Sequence, residues 1–314
     1  QRHLDVISGL FRDELEAERV TRIVEEEIER LRILLKAAIT IRVRNGALSH
    51  AVMSVGELLS SQIITAWLNS QDIRSRFIDS REIILVEQKQ DDFLPLTEEI
   101  LERSEKFIRP HIQPGSCIVC PGFIASTPEG EPATLGRDGS DYTASLLGAA
   151  LKAEEIQIWS DVDGILSADP SIIPYAKPLK TMTFDEACEL AYFGARVLHP
   201  ATIQPALEEG ILVRVLNSSL PDEPGTRILT DDASPNGAIV KSIAYKESIT
   251  LLTVESSKLL LSPRIIEAIF LILTRHGKRV FAVSKSATKL SITIENIEDL
   301  DEIVREIGEY GEVQ

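Results

Sequence analysis

Leu135-Gly136-Arg137-Asp138-Gly139-Ser140-Asp141-Tyr142-Thr143 is the stretch on which the reading of this chain turns. It follows a strand-like run, Cys117-Ile118-Val119-Cys120, and a segment Phe123-Ile124 with a hairpin turn at Pro128-Glu129-Gly130. It opens a helix rich in Ala and Leu that runs to about Ala153. Two glycines in a strand-to-helix loop let backbone N–H groups approach a ligand closely. Ser140 is placed to cap the helix, and Asp141 lies in its first turn, where the helix dipole stabilises a carboxylate. Arg137 offers a planar fork that suits a carboxylate or a phosphate. A capped helix with a surface arginine fits the same residues, and Gly-Arg-x-Gly alone does not decide between the two.

Working outward, apolar periodicity predicts a helix from about His3 to Lys36, with Glu25-Glu26-Glu27 and Arg19, Arg22 and Arg30 as a solvated face. A second helix is expected from about Val55 to Leu68, a strand over Ile73–Ile78, and a helix over 96–108 with Thr97 as N-cap. Beyond the central loop the pattern reads as a buried strand Ile156–Trp159, helices at Phe184–Ala191 and Ala195–Glu208, and a strand Leu212–Leu216 before the turn Pro224-Gly225. Such alternation indicates an α/β domain, a mainly parallel sheet covered by helices. The linker-like run 231–237 separates residues 1–230 from a smaller unit, 238–314. There the order strand, helix, strand, strand, helix and a strand stub at Glu312-Val313 is βαββαβ, a ferredoxin-like plan.

The chain has 314 residues, 33 Lys plus Arg against 49 Asp plus Glu, and a net charge of -16. Its 44% hydrophobic content supports a full core and excludes a disordered or fibrous chain. With no Lys/Arg stripe to displace counterions, nucleic acid is not an expected partner, whereas a small anion needs only a few local cations. The longest strongly apolar run, Ile265 to Leu273, is too short to span a bilayer, so no membrane is expected. No basic-then-apolar leader opens the chain, which favours a cytoplasmic protein. It begins at Gln1 rather than Met, and the expectation is a fragment. Cys117, Cys120 and Cys188 are expected to be small apolar side chains; residues three apart on a strand face opposite ways and suit neither a metal nor a disulfide.

Three further segments carry polar chemistry. Trp159-Ser160-Asp161-Val162-Asp163-Gly164 runs from a strand into an acid-lined loop ending at Asp169-Pro170, where ligands of open α/β sheets bind; from these residues alone, Asp-Gly as a turn and Asp-Pro as a loop stop is the preferred reading. Glu57, in Ser54-Val55-Gly56-Glu57, either binds an ammonium group or complements a helix dipole. His199 in Leu198-His199-Pro200 reads as a packed residue. No triad logic or metal-ligand spacing is present, so no protein metal site is expected.

In this order, Ser54–Glu57, Pro121-Gly122-Phe123-Ile124, Leu135–Thr143, Trp159–Gly164, Asp169-Pro170 and Phe193-Gly194-Ala195-Arg196-Val197-Leu198-His199-Pro200 resemble aspartate kinases of the amino acid kinase family. The trailing βαββαβ unit resembles their ACT regulatory domain. The resemblance implies an amino-acid-kinase fold and transfer of the γ-phosphoryl group of ATP, with Mg²⁺, to the β-carboxylate of L-aspartate. It implies an aspartate pocket of Glu57, Phe123, Arg137, Asp138, Gly139 and Ser140, with Asp141 beside the reacting groups. Ser160, Asp161, Leu166, Ser171, Arg196 and Val197 fall on its nucleotide side. Pairing of ACT units implies a homodimer or higher homo-oligomer, and an amino-acid effector, lysine or threonine, is expected near Ser262, Ile266, Phe281 and Ser286.

The sequence departs from the family pattern in several places. The family's Lys-Phe-Gly-Gly-Thr-Ser phosphate loop and a second ACT unit are not found in these residues, so an inactive fragment or a regulatory and assembly module is the alternative reading. Leu166 stands where Tyr is frequent, Ser171 where Arg is common, Arg196 for Lys and Asp138 for Gly. Lys258-Leu259-Leu260-Leu261-Ser262-Pro263 resembles the lysine-sensitive class. Val280-Phe281 and Lys285-Ser286-Ala287, however, take places where that class carries carboxylates for an effector ammonium.

Overall fold

The computed structural model describes residues 2–42, 46–89, 92–193, 200–230, 240–257, 263–295 and 299–314. The chain divides into two compact units, one of residues 1–167, 177–188 and 197–241, the other of 168–176, 189–196 and 242–314. The expected boundary near 231–237 lies outside the described residues. Two short excursions of the first half of the chain, 168–176 and 189–196, group with the second unit.

The N-terminal helix is broken in two, α1 (Arg2–Leu10) and α2 (Glu14–Ile41). The cause is local: Asp13 takes the N-cap position and its carboxylate accepts from Glu16 N at 3.1 Å. Phe11 turns inward to join Ile7, Val20, Val24, Leu59 and Ile63 in one apolar cluster. Helix α3 (Gly46–Ser70) begins nine residues earlier than periodicity indicates. Among the described residues it is long and apolar enough to cross a membrane by length and composition, longer than the apolar run Ile265 to Leu273. Its buried positions include Leu58, Ser61, Ile63 and Thr65, and it packs on α2.

The chain continues through β1 (Ser75–Phe77), the hairpin β2 (Val86–Lys89) and β3 (Asp92–Pro95), α4 (Thr97–Phe107), β4 (Cys117–Val119), β5 (Ile124–Ser126) and β6 (Pro132–Thr134). β1 and β4 pair in parallel, and β5 and β6 form the expected hairpin. α3 runs along β1 and β6. Thr97 is not the cap of α4; Leu96 holds that position without a side-chain hydrogen bond, and Thr97 is the first helical residue. Helix α5 (Gly139–Leu151) packs with α4 over a core of Ile78, Ile84, Ile100, Ala125 and Leu146.

Then come β7 (Glu155–Ser160), β8 (Thr181–Thr183), α6 (Phe184–Tyr192), α7 (Pro200–Glu208), β9 (Leu212–Asn217) and β10 (Thr226–Leu229). Their sheet has the order β7-β9-β10-β8, parallel at both ends and antiparallel between β9 and β10. The mainly parallel arrangement expected from the sequence is present. A capping box starts α6: Thr183 N donates to the Glu186 carboxylate at 2.8 Å, and Glu186 N donates back to Thr183 Oγ1 at 3.2 Å.

The second unit follows the predicted plan, with β11 (Ile249–Glu255), α8 (Pro263–Arg275), β12 (Val280–Lys285), β13 (Lys289–Glu295), α9 (Leu300–Ile307) and β14 (Glu312–Val313). The strands are antiparallel in the order β12-β13-β11-β14. Ile269, Ile272 and Leu273 of α8 and Ile303 and Ile307 of α9 pack on Leu252, Val254, Leu290, Ile292 and Ile294 of the sheet. The apolar run of α8 is therefore a core stripe.

Candidate functional site

The loop 135–141 is held by backbone contacts to the start of the β5–β6 hairpin. Phe123 has a left-handed backbone, φ 71°, and Ile124 N donates to Gly122 O across it at 2.8 Å. Phe123 N donates to the Thr143 hydroxyl at 3.0 Å, and that hydroxyl donates to Gly139 O at 2.9 Å. Leu135 N closes the other side on Phe123 O at 2.9 Å. Position 139 must be glycine, because a Cβ there would lie 2.9 Å from the Phe123 ring and 3.1 Å from Leu135 Cβ.

That contact shifts the helix start. Asp138, in the left-handed region at φ 55°, is the N-cap residue, and its side chain makes no capping bond. Ser140, expected as the cap, is instead the second residue of α5 and is exposed. Asp141 is half-buried beside it. Burial, and secondarily the neighbouring charge of Asp138, pushes the Asp141 carboxyl from an ordinary 3.8 up to about 6. Arg137 is exposed at the tip of the loop. Phe123, Arg137, Asp138, Gly139, Ser140 and Asp141 are thus gathered about this one loop.

Two cavities border this loop. One, about 460 Å³, is lined by His50, Gln88, Phe93, Glu131, Thr134 and Gly136 among others. The other, about 410 Å³ and apolar, is lined by Ile118, Cys120, Gly122, Ser140, Thr143 and Leu147. His50 was not legible in the sequence. Its Nδ1 lies 2.9 Å from Thr134 Oγ1, its ring stands edge-on to Phe93, and burial holds its pKa below the usual 6.5. Glu57, two turns further along α3, is half-buried on the helix that packs along β6. Burial pushes the Cys120 thiol up to about 12, as befits an inert apolar side chain, and all three cysteines are free.

Ser160 and Asp161 lie at the carboxyl end of β7, beside the end of its parallel neighbour β9. The Ser160 carbonyl accepts from Ser218 N at 2.8 Å and from the Ser218 hydroxyl at 2.9 Å. Leu166 is half-buried and bridges to Pro178. Ser171 belongs to the stretch grouped with the second unit, where its N and Oγ both donate to Asp169 Oδ1, at 2.8 and 2.6 Å. Arg196, Val197 and His199 lie outside the described residues.

Of the expected effector residues, Ser262 also lies outside the described residues. Ile266 packs against the second unit's core. Phe281 is buried, with Lys246 Nζ 3.8 Å above its ring and Tyr192 at 5.8 Å. The Tyr192 hydroxyl also donates to Val280 O at 2.9 Å, which ties the 189–196 excursion to β12. Ser286 is exposed in the β12–β13 turn, its N donating to Lys289 O. Among the described residues no three His, Cys, Asp or Glu side chains group to hold a metal.

Arg137, exposed on a strand-to-helix loop, and Asp161, exposed at the end of the parallel pair β7 and β9, are charged groups of the kind that α/β proteins offer to small polar ligands. Residues 5–217 match the amino acid kinase family, and the chain belongs to that family. Within it, the likeness is to aspartokinases. Lysine-sensitive aspartokinase 3 of Escherichia coli is 34% identical over 294 residues, covering 93% of this chain and 65% of that protein. Chloroplastic aspartokinase 1 of Arabidopsis thaliana is 37% identical over 306 residues, 92% of this chain and 52% of its own. The crystal structure of E. coli aspartokinase III with aspartate and ADP, in the R-state, superposes with a TM-score of 0.79 at 30% identity, covering 99% of this chain and 71% of that one. Its T-state complex with lysine and aspartate gives the same TM-score, covering 95% and 67%. The chain therefore spans about half to two thirds of the length of the curated relatives it matches.

Proposed function

We propose that this chain carries the aspartate pocket and part of the nucleotide site of an aspartate kinase, which converts L-aspartate and ATP to 4-phospho-L-aspartate and ADP. The observation that carries this reading is the Phe123–Gly139 contact, which gathers Phe123, Arg137, Ser140 and Asp141 about one loop. Arg137 pairs with a carboxylate of the substrate, and Glu57 on α3 takes its ammonium group. The nucleophile is the substrate's β-carboxylate, already ionised at neutral pH, so the site needs no strong base. An oxygen of that carboxylate attacks the γ-phosphorus while the bond to the β,γ-bridging oxygen breaks, and ADP leaves with the electron pair. The protein's task is to hold two anions together, by positioning and fixed charge. ATP enters as its Mg²⁺ complex, a substrate whose metal is carried by phosphates and water. Ser160, Asp161, Leu166, Ser171, Arg196 and Val197 form the nucleotide side. The second unit is the ACT regulatory domain, through which a homo-oligomer assembles and an amino-acid effector, lysine or threonine, acts.

The test is calorimetric titration of the chain with L-aspartate, glutamate and UMP, paired with a coupled assay of ADP release. L-Aspartate is expected to bind saturably and the other two to bind far more weakly. Arg137→Ala is expected to weaken L-aspartate binding by about tenfold or more, the scale of a charge-assisted pair. An unchanged affinity would remove Arg137 from the pocket. No binding of L-aspartate by the wild type would overturn the reading in favour of a regulatory or assembly module.

A further inference from the structure

The loop from Ser160 to Ile165 leaves the sheet at the carboxyl end of β7, and nearly all of its anchors come from one side. The paired residues at the end of the parallel ladder are Ser160 and Asn217. Immediately after that pair, Asn217-Ser218-Ser219 reaches back over the loop. Ser218 donates twice to the Ser160 carbonyl. The Asn217 amide Nδ2 donates to Asp163 Oδ1 at 2.6 Å, while Asn217 Oδ1 accepts from Ser219 N at 2.8 Å. The second bond fixes the orientation of the amide, so its NH₂ group must face the carboxylate. Asn217 is buried, 7% exposed, whereas Asp163 is exposed. At the far end, Ile165 N donates to the Thr226 hydroxyl at 2.8 Å, and Gly164 lies so close that a Cβ would stand 2.6 Å from that hydroxyl.

A buried amide spent on an exposed carboxylate is an unusual use of both groups. Asp163 would otherwise be free in water, and its bond contributes little to the core. What the bond does accomplish is to fix the path of the loop between two pinned ends, with Asp161 exposed between them. We infer that Asn217 is a positioning residue for nucleotide binding: through its bond to Asp163 it holds the 161–164 loop in the shape that receives a nucleoside diphosphate or triphosphate. The inference rests on the nucleotide role given above to Ser160 and Asp161.

The experiment titrates the chain with MgADP and, separately, with L-aspartate, and records thermal unfolding of each variant. Asp163→Ala removes the exposed partner without touching the core. It is expected to weaken MgADP binding by about tenfold, the loss typical of a hydrogen bond to a charged group. L-Aspartate affinity and the unfolding temperature should stay near wild type. Asn217→Asp sets two carboxylates against each other and is expected to weaken MgADP binding further. The exchanged pair, Asn217→Asp with Asp163→Asn, restores a donor facing an acceptor and keeps the acceptor for Ser219 N; it is expected to recover MgADP affinity to within about threefold of wild type. If Asp163→Ala binds MgADP as wild type does, the inference is overturned. It is overturned also if the exchanged pair regains stability without regaining affinity. Failure of the wild type to bind MgADP would overturn the nucleotide reading itself, and is told apart because no variant is needed to see it.

Discussion

Asp141, in the first turn of α5, is half-buried beside Asp138. Its carboxyl stands at about 6 in the folded chain against 3.8 ordinarily, first because of burial and then because of Asp138. Below the ordinary value both folded and unfolded chains hold the proton. Between the two values the folded chain keeps a proton that the unfolded chain has lost, so stability declines as pH rises through that window. Above it the folded chain carries a partly buried charge, which costs stability. Asp141→Asn is therefore expected to be more stable than wild type at pH 7 by about 1–2 kcal/mol, a discounted figure because the group is part exposed. The difference should shrink toward pH 4. Urea denaturation of both proteins at pH 4.5, 6 and 7.5 checks this, and a difference that stays flat with pH would contradict it. This residue's environment was half legible: its place in a first helical turn follows from the sequence, but its burial depends on the hairpin packed beside it.

At the level of elements, the hydroxyl of Thr143 joins α5 to the β5–β6 hairpin, serving Phe123 N and Gly139 O at once. Thr143→Val keeps the shape and strands both groups. It is expected to cost about 1–3 kcal/mol by chemical denaturation and to weaken L-aspartate binding, while Thr143→Ser retains both properties. Retention of both properties by Val and their loss in Ser would mean that the methyl group, not the hydroxyl, holds the contact. The elements themselves show where pattern suffices. The hairpin at 124–134 was legible because Pro128-Glu129-Gly130 stops one strand and starts another. The break between α1 and α2 was not, because helical periodicity continues through Phe11-Arg12-Asp13 and only the Asp13 cap and the inward turn of Phe11 interrupt it. Strands β8 and β10 were missed for another reason: four residues or fewer, each takes its conformation from the ladder it joins.

For the whole molecule, the main consequence is that the two units have separate cores. Leu252, Val254, Ile269 and Ile292 pack with one another in the second unit, while Ile84, Ile100, Ala125 and Leu146 do so in the first. Ile292→Ala, at a fully buried site, is expected to cost about 2–5 kcal/mol within its own unit. In differential scanning calorimetry the lower melting of the second unit should separate from that of the first, whereas one transition shifting intact would mean the units unfold as one. Amino-acid order by itself determined the alternating first unit, the βαββαβ order of the second, the acidic surface and the residues of the 135–143 loop, because each is written in local periodicity, turn chemistry or charge. Only the tertiary structure decided that His50 meets Thr134 across 84 positions, that Asn217 meets Asp163 across 54, and that Phe123 rests on Gly139. Those contacts depend on strand register and helix packing, and no local pattern encodes a distance between residues that far apart in the chain.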